Sequence, residues 1–417
     1  MKIAGIIAGT GPVALLSIVK ATCAAGWLVA CFVALSGCSR GGLEPGQPRI
    51  VDCPAAPGSQ APNLAVGLDG ELYLSWIEPR ERGHALRFAT WDDGAWSAPR
   101  TIASGEDWFV NWADFPSMAA LEDGTLVAHW LVRSGGEGYA YDVHVALSHD
   151  GGLSFGDPFR PHDDATQTEH GFVSLVPTAE GAFRLFWLDG RNAASTPPGP
   201  MALRSAELRA RGELDSQVVI DESVCDCCAT DALRTQSGTI LVAYRDRSAT
   251  EIRDISVARF SESTWSAPRT VHADNWEIAG CPVNGPALAS AGGRVAVAWF
   301  TAAEDPPAVQ VAFSHDDGRS FDPPIRVDEG SPHGRVDVAL LADGTALVSW
   351  LEGAQDGARI LVRRVRPSGA LESTIVAVTS PSRSSGVPRM VLFQDRIVLA
   401  WTEPAEPSRV RTSVLSM

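Results

Sequence analysis

Apolar and polar residues alternate over short stretches along almost the whole chain, and one such stretch keeps returning. GELYLSW, GTLVAHW, GAFRLFW, GTILVAY, GRVAVAW, GTALVSW and DRIVLAW end on Trp76, Trp130, Trp187, Tyr244, Trp299, Trp350 and Trp401, 51 to 57 residues apart. A period of two over this length predicts half-buried strands. Each copy follows another short apolar strand, such as PNLAVGL or VDVALLA, and precedes a third, such as VHVALS or VQVAFS. A fourth, such as PRTIAS, PFRPH, QVVID or PRTVHA, closes most units. That spacing is too long for a solenoid turn and matches one four-stranded propeller blade. The pattern predicts an all-β chain folded as a seven-bladed β-propeller over residues 48–417, a single domain, with a six-bladed ring as the alternative. The seventh unit ends at RVRTSVLSM without a fourth strand. The segment PRIVDC at 48–53 has the look of an outer strand and is expected to close the ring, which removes the open sheet edges.

The first 38 residues break the pattern. They are apolar, carry only Lys2 and Lys20 as charges, and end on ALSGC. This reads as an export signal. Its ending resembles the lipobox of bacterial lipoproteins, in which the cysteine, here Cys38, becomes the lipidated first residue. The expected product is exported, membrane-anchored in the bacterial cell envelope through that lipid alone, with residues 39–47 as a flexible tether.

Charge narrows the partners. Fifty acidic against 34 basic residues give a formal charge of −16. Such a surface repels phosphate backbones, so nucleic acid is excluded as a partner. A monomer that binds a small molecule, a glycan or a metal remains, as does a scaffold for a protein partner.

Two segments between third and fourth strands, SHDGGLSF (148–155) and SHDDGRSF (314–321), match the turn Ser-x-Asp-x-Gly-x-Ser/Thr-aromatic and resemble the Asp-box repeats of the sialidase superfamily. Asp150 and Asp316 are suited to accept backbone N–H groups inside the turn, and Gly152 and Gly318 to take positive φ. The resemblance implies a propeller whose working face lies on the other side. VCDCC, AYRDRS and AGCPVNGPAL are similar to segments of uncharacterised bacterial exported sialidase-like proteins, a likeness that implies no activity.

On the working face the sequence places Asp114, His170, Arg191, Asp231, Arg245, Arg247, Asn284, Arg335, Asp337 and Arg389 as candidate ligand-binding residues, with Trp108, Trp112 and Trp276 as stacking platforms. Cys225, Cys227, Cys228 and Cys281 precede the inner strands of neighbouring units and are expected to converge, either as disulfides or as ligands of a soft metal, Cu or Zn. Sialidases clamp a carboxylate with three arginines and use a tyrosine nucleophile, a glutamate partner and an aspartate acid/base. The chain has only Tyr73, Tyr139, Tyr141 and Tyr244, none in the last two units, and lacks the family's early Arg-Ile-Pro segment. The favoured expectation is a binding lipoprotein. A glycoside hydrolase with an altered catalytic set and a protein-docking scaffold are the alternatives.

Overall fold

The computed structural model describes residues 46–135, 138–215 and 217–416. The expected signal segment with Cys38, and residues 39–45 of the tether, lie outside the described residues. Among those described, no helix is long and apolar enough to cross a membrane.

Seven antiparallel sheets follow one another along the chain, as the repeat predicts. Blade 1, for example, runs from its inner strand Gln60–Val66 through Leu72–Pro79 and His84–Asp92 to its outer strand Arg100–Gly105. Blade 7 is made of Arg389–Phe393, Arg396–Glu403 and Arg409–Ser416, and its outer strand is Arg49–Val51. Arg49, Ile50 and Val51 pair with Val414, Ser413 and Thr412, so the two ends of the propeller share one sheet. The ring has seven blades, and the six-bladed alternative falls.

Blade 2 departs from the expected plan. Its sheet has three strands, and PFRPH is reduced to a bridge in which Phe159 and Val145 exchange backbone hydrogen bonds at 2.8 and 2.9 Å. Pro158 and Pro161 flank Phe159 and have no N–H to extend the ladder.

The core lies between blades. Trp76 and Leu74 of blade 1 pack with Val398 and Val410 of blade 7, and Trp350 of blade 6 with Val309 and Val311 of blade 5. The repeating aromatics Trp76, Trp187, Tyr244, Trp299 and Trp350 are at most 1% exposed. Their polar tips are satisfied by carboxylates. Trp187 Nε1 donates to Asp189 at 2.9 Å, Trp299 to Asp274 at 2.7 Å, and the Tyr244 hydroxyl to Asp221 at 2.6 Å. Buried indole and phenol groups require such partners.

Polar side chains near the inner strands stitch the blades together. Asp114 accepts the N–H of Phe172, Asp231 that of Leu288, Asn284 that of Arg335, Asp337 that of Met390, and Thr402 that of Ala61. On the far face, both Ser-x-Asp turns carry one hydrogen-bond pattern. Asp150 accepts from Ser148 Oγ and from the Ser154 N–H at 2.8 and 2.9 Å, and Asp316 from Ser314 and Ser320 at the same distances.

Candidate functional site

Strand direction brings three sets of termini to one face: the loops leading into the inner strands, the ends of the second strands and the starts of the third. Inside them the tunnel widens into a cavity of about 540 Å³ lined by inner-strand residues, among them Asn63, Asp114, Asp231, Asn284, Asp337 and Arg389. Pairing to the second strands puts Asn63, Ser117, Ser174, Asp231, Ala287, Asp337 and Arg389 at one level, each opposite the residue just before a repeating aromatic. Two carboxylates and one guanidinium therefore share a seven-membered ring. Arg389 reaches Asp337 at 3.3 Å.

Burial dominates the electrostatics. It pushes the Asp231 carboxyl up to about 6, helped by Asp337 and opposed by Arg389. Asp337 is raised for the same first reason. Asp114 is pushed up to about 7 by burial, against hydrogen bonds from Tyr141 and Phe172. Glu169 rises to about 8, again through burial, with Asp114 and Asp226 adding to it. The Tyr141 hydroxyl lies 2.8 Å from Asp114 and 2.7 Å from Glu169. One hydroxyl proton serves one carboxylate, so the other carboxyl must itself carry a proton to complete the chain.

The thiols lie at the rim. Cys225–Cys228 lead into the inner strand of blade 4, and Cys281 into that of blade 5. Cys225 Sγ is 3.2 Å from Cys228 Sγ and 3.8 Å from Cys227 Sγ. Cys281 Sγ lies within 4.8 Å of Cys227 Sγ and is 4.0 Å from the Asp226 carboxylate. None of the described cysteines is in a disulfide. Arg253, buried, points its guanidinium at Cys225 Sγ and at Asp226, both at 3.4 Å. Hydrogen bonds from the Cys227 and Cys228 thiols, then Arg253, hold the Cys225 thiol far below the usual range, while its two neighbours are pushed up. One thiolate shielded by two thiols is a nucleophile and a soft-metal ligand.

The arginines expected on this face do not assemble into a clamp. Arg245 is 1% exposed and gives its donors to the carbonyls of Asn284, Arg253 and Phe300, over the ring of Trp276, so it is a core brace. Arg335 is buried and bonds the carbonyls of Pro381, Ser382 and Gly386 and the Ser385 hydroxyl. Arg247 chelates Glu251 in an outer loop. Arg191 sits with His170 among Asp163, Asp164 and Asp189, on the blade 3 side. Of the five, Arg389 is the one that faces the cavity without being spent on carbonyls or an outer loop. Arg253 pairs with Glu251 rather than with its neighbour Asp254, which accepts the N–H groups of Asn275 and Trp276. Two of the three expected stacking platforms are corrected: Trp108 is buried against Trp130, and Trp276 is buried beneath Arg245, because these loops fold down onto the blades. Trp112 is half-buried, with the Arg335 guanidinium over its ring at 4.8 Å.

No protein-family model matches the chain, and neither does any curated protein. Solved structures do match. A Dyadobacter fermentans protein of unknown function superposes with a TM-score of 0.54 at 13% identity, over 90% of this chain and 99% of its own. The GH93 α-L-arabinofuranosidase of Fusarium graminearum, solved with arabinobiose, gives 0.51 at 15% identity, over 89% and 98%. The Hadza microbial sialidase gives 0.47 at 13%, over 81% and 74%. The chain is a seven-bladed β-propeller. At these identities the likeness is one of fold, so what this propeller does must be argued from its own side chains.

Proposed function

We propose that this chain is an exported, lipid-anchored envelope protein that uses the propeller as a binding platform and holds a soft metal ion, Cu(I) or Zn(II), at the rim of the tunnel. The sulfur spacing carries the reading. Thiolates about 2.3 Å from one tetrahedral centre stand roughly 3.8 Å apart, and the Cys225 to Cys227 separation is 3.8 Å, with Cys228 at 3.2 Å from Cys225. Cys281 and Asp226 supply further donors on the Cys227 side. Arg253, 3.4 Å from Cys225 Sγ, offsets the negative charge that thiolates bring. The tunnel cavity, whose lining on the blade 4 side begins one residue past Cys228 at Ala229, takes the small ligand, with Asp231, Asp337 and Arg389 as its polar contacts.

The test is metal content beside thiol accessibility. The mature chain purified without chelator should retain one equivalent of Cu or Zn shielded by Cys225, Cys227 and Cys228, and lose it in Cys225→Ser. A metal-free chain in which these thiols have become disulfides would overturn the reading in favour of stapling.

A glycoside hydrolase has one observation in its favour: a tyrosine hydroxyl bonded to a glutamate, with an aspartate facing the cavity. Against it, Tyr141 is fully buried, stacked at 4.0 Å on Phe109, and its hydroxyl is held well above the ordinary range by burial and two carboxylates, the opposite of an activated nucleophile. A sialoside reporter should show no turnover. Turnover abolished by Tyr141→Phe would restore the hydrolase.

A further inference from the structure

Away from the thiols, three loops and strand ends of blades 2 and 3 bury two histidines among three aspartates. The rings of His162 and His170 stack in parallel, 4.0 Å apart and 6° from coplanar. Both side chains are wholly inaccessible. On one side of the stack, Asp164 Oδ1 lies 3.3 Å from His162 Nδ1 and 3.2 Å from His170 Nε2. On the opposite side, His162 Nε2 and His170 Nδ1 face Asp142 Oδ1 at 3.7 and 3.8 Å. These last three atoms are buried and have no hydrogen-bond partner.

The tautomers explain why that is unusual. His162 Nδ1 bonds Asp164, so the neutral ring that donates there presents a bare lone pair on Nε2, while neither nitrogen of His170 has a hydrogen-bond partner. His162 Nε2 and His170 Nδ1 thus stand unbonded around a carboxylate oxygen that only accepts. Buried polar atoms left in this way cost free energy and call for an explanation.

The geometry points to a divalent transition-metal site, for an ion of the Zn(II) or Mn(II) class, formed by Asp142 Oδ1, His162 Nε2 and His170 Nδ1. Donors about 2.1 Å from a tetrahedral centre stand roughly 3.4 Å apart, so contraction by a few tenths of an ångström, with the two parallel rings tilting so that their lone pairs converge, closes the set around an ion. Imidazole and carboxylate donors select borderline cations rather than the soft ion that thiolates attract. Asp164 provides the carboxylate bonded behind the His162 imidazole, which fixes its orientation, and lies 3.2 Å from His170 Nε2. Asp142 comes from the third strand of blade 2, His162 and Asp164 from the loop that follows, and His170 from the inner strand of blade 3. An ion here pins that loop to both blades, beside the place where Pro158 and Pro161 prevent a fourth strand.

The site is separable from the thiols. In a variant with Cys225, Cys227, Cys228 and Cys281 all changed to Ser, the full chain should still bind one equivalent of Zn(II) or Mn(II), and adding the metal to chelator-stripped protein should raise its Tm. His162→Gln and Asp142→Asn should each abolish that equivalent. Asp164→Asn should weaken it about 10- to 100-fold without removing it. Co(II) in this four-Ser variant should give d–d bands without sulfur-to-metal charge transfer. Failure of millimolar Zn(II), Mn(II) or Co(II) to bind or to raise Tm in the folded four-Ser variant would overturn the site. So would binding that survives both His162→Gln and Asp142→Asn.

Discussion

Asp114 holds several features of the molecule at once. It accepts the Phe172 N–H across the blade 2 to blade 3 interface, takes part in the proton-sharing set with Tyr141 and Glu169, and faces the cavity. Its carboxyl titrates near 7 when folded, because of burial, against about 4 when unfolded. The sign follows from proton counting: the folded chain keeps a proton that the unfolded chain has lost, so this group's contribution is full below about pH 4 and disappears as pH rises through 7. Asp114→Asn has no such proton. Its stability deficit relative to the parent should be largest at about pH 4 and below, and shrink by on the order of a few kcal/mol by pH 8. Denaturant unfolding of both proteins at the two pH values checks this. A deficit that stays constant or grows would mean that Asp114 is ionised throughout.

At the same scale, the chemistry was only partly legible in the sequence. Cys225, Cys227, Cys228 and Cys281 announced themselves because cysteines are scarce outside the export segment and precede two consecutive inner strands. Arg245 misled, since an arginine just past a repeating aromatic gives no sign that its donors will be spent on three carbonyls. Asp142 and His162 were invisible, because they come from a third strand and an irregular loop whose juxtaposition depends on the collapse of blade 2's outer strand. Asp189 had a faint signal in the Trp-x-Asp/Glu spacing that Trp76, Trp187, Trp350 and Trp401 share.

Among the elements, the short strand Arg49–Val51 has the most to do. Three residue pairs join it to Arg409–Ser416, Thr412 Oγ1 donates to the Val51 carbonyl at 3.0 Å, and Val51 packs into the core shared by blades 7 and 1. Removing residues 46–52 deletes this burial and exposes a strand edge. The truncated chain should lose on the order of 2 to 4 kcal/mol in denaturant unfolding, and self-associate through the open edge of blade 7 in light scattering. Unchanged stability with a monodisperse chain would show that the ring closes by other means. Strands were readable because their alternation is local, whereas the loss of blade 2's outer strand turned on where two prolines fall in the ladder.

The whole molecule is a ring in which every blade meets its neighbours through the same aromatic core, so the repeat that stabilises it also disclosed it. A sequence period of 51 to 57 residues survives because each blade must bury one large aromatic against the next. The working face has no such period, and its loops differ in length and composition from blade to blade, which is why fold was readable and ligand was not. Two donor sets of different softness, thiols at blades 4 and 5 and buried imidazoles at blades 2 and 3, belong to the same propeller as one carboxylate-lined cavity. The central claim is that the first holds a metal. X-ray absorption at the metal edge, on the full-length chain carrying His162→Gln and purified without chelator, tests it most directly. The account predicts a shell of three or four sulfur atoms at about 2.3 Å; a shell of light atoms alone, with no sulfur, would contradict it.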